Sequence, residues 1–264
     1  MEKLLSGKNA IVYGAGGGLG GGVARAFARE GATVFLAGRT REALDAVASE
    51  IKAAGGTAHV AIVDATDEQA VDAHVAEVTK QSGTVDVSFN LITRGDVQQI
   101  PLIDMSADDL MRALTVGMRS NFITARSAAR QMTKQGSGVI LFLDSGSAKG
   151  SMPGMGSTGP ADAAIDTLMR YLAVELGPSG IRVVGIYTAG VADTLTQEKM
   201  DAVAGPGVVD VEAAKRGIAM MSMLRRAPSL AEVAEAAAFL ASDRASGITG
   251  TIVNVTSGLL AGPA

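Results

Sequence analysis

Asn9-Ala10-Ile11-Val12-Tyr13-Gly14-Ala15-Gly16-Gly17-Gly18-Leu19-Gly20 runs from an apolar stretch of strand length into a glycine-rich turn, and from there into the helical pattern Leu19 to Arg29. In a strand-turn-helix of this kind the glycines permit a tight turn and a close backbone approach. The free amides at the helix start then point at an anion such as a pyrophosphate. A bare glycine motif would read equally well as a flexible loop, and the order of strand, loop and helix removes most of that ambiguity.

Outward from this unit, apolar runs alternate with longer stretches of helical period. Strands are expected at Asn9 to Tyr13, Thr33 to Ala37, Ala58 to Val63, Val85 to Asn90, Val139 to Leu143, Arg182 to Tyr187 and Thr251 to Val255. Helices are expected at Leu19 to Arg29, Arg41 to Ala54, Asp67 to Gln81, Leu110 to Gln135, Ala161 to Leu176 and Leu230 to Ser242. Thr66 with Gln69, and Ser229 with Glu232, have the spacing of helix-capping pairs. The expected fold class is α/β: one Rossmann-type doubly wound parallel sheet of about seven strands with helices on both faces, and a ligand crevice at the carboxyl ends of the strands.

The chain has 264 residues and is 47% hydrophobic, which one large core accommodates, so residues 1–264 are read as one domain. With no Cys and two His, His59 and His74, disulfides and thiolate metal sites are excluded and no metal is expected. A net charge of -4 argues against nucleic acid or an anionic membrane as partner. No apolar run is long enough to span a bilayer. With no signal peptide legible at Met1 to Lys8, the expectation is a soluble, cytoplasmic protein.

The whole chain resembles the short-chain dehydrogenase/reductase family. The resemblance rests on Gly14, Gly18 and Gly20, Asp64, Asp86 through Asn90, Ser145, the phrase Ala163-Ala164-Ile165 to Leu172-Ala173-Val174-Glu175-Leu176, Ser179 to Val183, and Gly247-Ile248-Thr249-Gly250. It implies a single Rossmann domain, NAD(P)-dependent redox chemistry on a small molecule, and a homo-oligomer, dimer or tetramer. A hetero-oligomer with an active homologue is the alternative. Cofactor contacts implied are Gly14, Gly16, Gly17, Gly18, Leu19, Gly20, Arg39, Asp64, Ala65, Asn90 and Gly190. At the end of the second strand, Gly38 stands where an acid would bind the ribose of NAD, and Arg39 follows it. A guanidinium clamps a 2'-phosphate with two charge-assisted hydrogen bonds, so NADP(H) is expected over NAD(H). Arg39 as a surface residue near the helix start, and Asp64 as helix-start decoration, stay open as alternatives.

The family's catalytic set is Ser, Tyr, a Lys four residues on, and Asn. Here the catalytic positions hold Ser145, Thr158 and Asp162, with Gly117 in place of Asn. Thirteen residues separate Ser145 from Thr158, the family spacing. A Thr hydroxyl is a far weaker acid than a phenol, and Asp162 reverses the local charge. Asp162 is expected to raise the pKa of a neighbouring acid, and to be able to accept from ribose hydroxyls. Arg94, Asp96, Asp144, Ser147, Lys149 and Ser151 border the expected crevice and read as solvated loop side chains; Arg94 or Lys149 could supply positive charge to an oxyanion. Residues 193–226, with Met200, Met220, Met221 and Met223, correspond to the family's substrate lid, the methionines being either pocket wall or core filler. Three functions follow: an oxidoreductase with a non-standard site handling a carbonyl, alcohol or enone; a catalytically silent subunit that binds nucleotide or a partner; or a non-redox lyase or isomerase using Asp162 or Asp144 as base.

Overall fold

The computed structural model describes residues 3–149 and 153–260. Its centre is a seven-stranded sheet in the order β3-β2-β1-β4-β5-β6-β7, every pairing parallel. The strands are β1 (Asn9–Tyr13), β2 (Thr33–Gly38), β3 (Thr57–Ile62), β4 (Val87–Asn90), β5 (Gly138–Ser145), β6 (Ile181–Thr188) and β7 (Ile252–Val255). The helices are α1 (Gly18–Arg29), α2 (Arg41–Ala53), α3 (Glu68–Ser82), α4 (Ala107–Gln135), α5 (Thr158–Leu176), α6 (Gln197–Ala204), α7 (Val211–Met221) and α8 (Leu230–Ala241).

Both faces of the sheet are covered because its central strands are apolar at most positions, and alternate residues feed two cores. Ala10, Val12, Val34, Leu36, Leu141 and Ile186 face the core under α1, α2 and α8. Ile11, Tyr13, Phe35, Ile140, Phe142 and Tyr187 face the opposite core under α3, α4 and α5. The strand order reverses direction between β1 and β4, where the chain leaves β1 for one side and β4 for the other. Such a switch point opens a crevice at the carboxyl ends of the strands, and the glycine turn after β1 lies there.

Several boundaries differ from expectation, each for a local reason. Asp67, not Thr66, caps α3: its carboxylate accepts from the amides of Gln69 and Ala70, at 2.9 and 3.1 Å. Thr66 is turned back onto Asp64. Helix α4 starts earlier than its apolar periodicity, at Ala107, because Ser106 caps it through the Asp109 amide. Helix α5 begins at Thr158, before the apolar stripe. The cap at Ser229 is a reciprocal capping box with Glu232, as expected. The lid segment carries two helices, α6 and α7, that were not expected from the sequence. Among the described residues no helix is long and apolar enough to cross a membrane.

Candidate active site

The turn after β1 is fixed by two glycines. Gly14 has φ 74°, and a Cβ there would lie 2.5 Å from the Leu91 carbonyl oxygen. A Cβ on Gly20 would lie 2.2 Å from the Gly14 oxygen. Gly20 is thus a packing residue that lets α1 sit against its own turn, and not a lining residue. Beyond the turn α1 has no side-chain cap and no acid in its first turn. The positive end of its macrodipole is left to the crevice.

The crevice is a cavity of ≈ 440 Å³ lined in part by Gly14, Gly16, Gly17, Gly38, Arg39 and Asp64. Ala65 and Thr66 continue the wall, and Leu91, Ile92 and Thr93 close it from the β4 side. Asp64 accepts from the Thr66 amide and hydroxyl at 2.9 and 2.7 Å, and these bonds hold its carboxyl below the usual range. Arg39 is exposed at the rim, with its charge close enough to favour the Asp64 carboxylate. Arg41, the other candidate guanidinium, is turned to Asp45 at 3.9 Å. Asn90 ends β4 with its Oδ1 on the Ile92 amide and its Nδ2 buried without a partner. Gly18 and Leu19 open α1 above the cavity. Gly190 is elsewhere: a Cβ there would meet Ile218 and Leu195, so it packs beneath the lid. Uncapped amides, an orphaned amide donor and a rim arginine are the chemistry a dinucleotide needs, so the crevice fits one.

Next to it, the three catalytic positions converge. Ser145 ends β5, where its hydroxyl accepts from the Ser147 amide at 3.1 Å and donates to the Asp162 carboxylate. Asp162, on α5, is wholly buried, and its other oxygen takes Arg94 Nη1 at 2.6 Å. Each carboxylate oxygen carries one hydrogen bond within the protein, and the burial of Asp162 sets it back from the ribose hydroxyls that the sequence reading gave it as donors. Arg94 spans two acids, with Nη2 on Asp96 Oδ1 at 2.9 Å. Burial alone would lower the Arg94 pKa, but Asp162 and Asp96 more than reverse this and keep it charged. Thr158 is buried, and its hydroxyl accepts from Gln98 Nε2 at 3.1 Å.

Gly117 explains how Arg94 gets in. A Cβ at Gly117 would lie 2.9 Å from Arg94 Cδ, so a side chain there would occupy the guanidinium's path. The small residue at 117 and the acid at 162 thus belong to one arrangement, with Arg94 as its cation.

Beneath this pair is a group of acids. Asp144 lies between Asp162 and Asp166, within hydrogen-bonding reach of both; burial, and then those two carboxylates, push its pKa far up. The raised pKa favours the protonated acid there, whose one proton would turn a repulsive contact into a hydrogen bond. Asp166 also accepts from the Tyr187 hydroxyl, whose pKa is raised by burial and by that acid. The expectation that Asp162 raises a neighbouring acid holds, while the solvated-loop reading of Arg94, Asp96 and Asp144 does not. All three have side chains that are largely buried. Lys149 is exposed. Ser151 lies outside the described residues.

Asp166, Gln98 and Tyr187 were not singled out from sequence. The spacing of Asp162 and Asp166, four apart on one helix, already places two carboxylates on one face and was the available signal. His74 is buried edge-on against Tyr13, its pKa lowered to about 4 by burial, and His59 stacks on Phe35. Met220, Met221 and Met223 are 73%, 49% and 65% exposed, which removes the core-filler reading for these three, while Met200 is half-buried.

Residues 14–260 match the family model described as enoyl-(acyl carrier protein) reductase. The chain is 32% identical to 7α-hydroxysteroid dehydrogenase of Escherichia coli (strain K12), over 96% of this chain and 94% of that one. It is 28% identical to gluconate 5-dehydrogenase of Gluconobacter oxydans (strain 621H), over 97% and 95%. The solved structure of 7α-hydroxysteroid dehydrogenase with NADH and 7-oxo glycochenodeoxycholic acid superposes with a TM-score of 0.86 at 32% identity, covering 97% of this chain and 96% of that one. NAD+-bound xylitol dehydrogenase does so with a TM-score of 0.85 at 27% identity, covering 96% and 99%. With a matching fold and a matching glycine crevice along nearly its whole length, the chain belongs to the short-chain dehydrogenase/reductase family.

Proposed function

We propose that the protein is an NADP(H)-preferring oxidoreductase acting on a carbonyl, alcohol or enone through a non-standard active site. The observation that carries this reading is the cofactor crevice, with an exposed Arg39 beside Gly38 where an acid would repel a 2'-phosphate. The α1 amides would hold the pyrophosphate, Arg39 the 2'-phosphate, and Asp64, Ala65 and Asn90 the adenosine half. The nicotinamide, when bound, supplies or accepts a hydride. Ser145 is the family's remaining polar contact for the substrate oxygen. Its proton is committed to Asp162, so Oγ offers a lone pair to a substrate hydroxyl more readily than it offers a proton to a carbonyl. The exposed lid methionines supply an adaptable apolar wall, which supports an apolar substrate.

One observation favours a second reading, that of a catalytically silent subunit: Asp162 and Thr158 are both buried and hydrogen-bonded within the protein. Such a subunit would bind nucleotide without turning it over and co-purify with an active homologue. A lyase or isomerase finds less support, since Asp162 is wholly buried in an ion pair with Arg94 and the raised pKa of Asp144 goes with burial away from the crevice. Exposed Phe122 on α4 and Tyr171 and Val174 on α5 support self-association as a dimer or tetramer.

Calorimetric titration with NADPH and NADH, followed by a screen of alcohols and carbonyls, tests the reading. NADPH-selective binding with turnover that Ser145→Ala abolishes is the expected result. Selective binding with no turnover on any substrate would leave the silent subunit, and no binding to either nucleotide would overturn both.

A further inference from the structure

Lys199 belongs to the lid by sequence and to the glycine turn by position. It lies on α6, yet a Cβ built on Gly18, the first residue of α1, would stand 3.7 Å from Lys199 Nζ and 3.4 Å from Thr194 Cγ2. The root of the lid is anchored: the Asp193 carboxylate accepts the Leu230 amide at 2.6 Å, and the Ala192 amide donates to the Pro228 carbonyl at 3.0 Å. Neither acid of α6, Glu198 or Asp201, stands three or four residues from Lys199, and Asp201 accepts from Gln197 at 2.8 Å. The Lys199 ammonium donates to the Thr194 carbonyl oxygen at 2.7 Å, a neutral acceptor that takes one of its three protons.

A cation is thereby held beside the positive end of α1, a helix with no acid in its first turn and no side-chain cap. Two positive ends facing each other are unfavourable unless an anion lies between them. On the reading that the crevice takes a dinucleotide, that anion is the cofactor's diphosphate, which the glycine turn faces. We infer that Lys199 is a phosphate-binding residue of the cofactor site, closing on the diphosphate from the lid side while the α1 amides hold it from the sheet side. Occupancy of the crevice and closure of the lid then favour each other, because the same ammonium belongs to both.

The test is calorimetry of the full chain and its Lys199→Met and Lys199→Arg variants with two probes, NADPH and adenosine 2'-monophosphate, which lacks the diphosphate. Lys199 is exposed, so neither variant disturbs the core. Lys199→Met is expected to weaken NADPH about tenfold and to flatten its salt dependence, with adenosine 2'-monophosphate unchanged. Lys199→Arg, which keeps the charge, is expected to stay within about twofold of the parent. Slowing of amide hydrogen exchange across the 197–204 segment by NADPH is expected in the parent and lost in Lys199→Met. Equal NADPH affinity in the parent and Lys199→Met, or an equal loss for both probes, overturns the assignment while leaving the cofactor reading intact. Failure of the parent itself to bind either probe overturns the cofactor reading, and the role of Lys199 with it.

Discussion

Arg94, Gly117 and Asp162 are three residues whose meaning depends on one another. Each looked like an isolated departure in the sequence: a solvated loop arginine, a missing Asn and a reversed charge. Their shared geometry could not be read there, since the contact joins positions 68 apart. The positions themselves were legible, Thr158 lying thirteen positions after Ser145, whereas their partners were not, because no periodicity reports them. The arrangement makes restoration of the family residues a sharp experiment. Asp162→Lys in the parent puts a second cation against a wholly buried Arg94 contact, and is expected to cost about 3–5 kcal/mol in chemical denaturation. The same substitution combined with Arg94→Ala and Gly117→Asn is expected to recover most of that loss, a coupling that independent sites would not show. Asp144 allows a test by pH. Its folded pKa is raised, so above about pH 4 the unfolded chain releases a proton that the folded chain retains, and stability is lost as pH rises toward the folded value. Asp144→Asn keeps a hydrogen-bond donor and has no proton to lose. It is expected to be more stable than the parent at about pH 8, with the gap shrinking toward about pH 5, in parallel urea titrations. A gap that did not vary with pH would mean Asp144 is charged in the fold.

At the scale of elements, β1, the glycine turn and α1 were legible because sterics leave them little choice, and the capping box at Ser229 because its two residues are reciprocal. The start of α3 was misread by one residue: Thr66 and Asp67 are both good caps, and only the competition for Asp64 decides between them. Helix α6 escaped notice because it is short and weakly amphipathic, whereas α7 carries an apolar stripe at Val211, Ala214 and Ile218 that was available and went unread. The two well-read elements make opposite predictions for one probe each. Gly20→Ala forces a Cβ into the Gly14 carbonyl, a backbone atom that cannot move without opening the turn, so nucleotide affinity measured by calorimetry is expected to fall at least about tenfold. Ser229→Ala removes a cap remote from the crevice. It is expected to cost about 1 kcal/mol in denaturation and to leave nucleotide affinity unchanged.

For the molecule as a whole, the sheet order explains where the site is, and the surface of α5 bears on whether the molecule acts alone. Ile165 and Met169 of its apolar stripe point into the core, as the period implied. Yet Tyr171 and Val174, on the same helix, are 68% and 77% exposed, and Phe122 of the adjacent α4 is 42% exposed. Periodicity distinguished the inner stripe and could not assign the outer one, because an apolar residue facing solvent and one facing a second copy look alike in a single sequence. If this face buries itself in self-association, Tyr171→Glu together with Val174→Glu introduces like charges on both sides of a symmetric contact and leaves the core untouched. Light scattering is then expected to show the parent as a dimer or tetramer and the double variant one symmetry level lower. Far-ultraviolet dichroism should stay the same, and the concentration dependence of the parent's melting temperature should weaken in the variant. A parent that is monomeric, or a double variant that assembles as the parent does, would remove α5 from the interface. Thr158 and Asp162, on the same helix, would then be shaped by this chain alone.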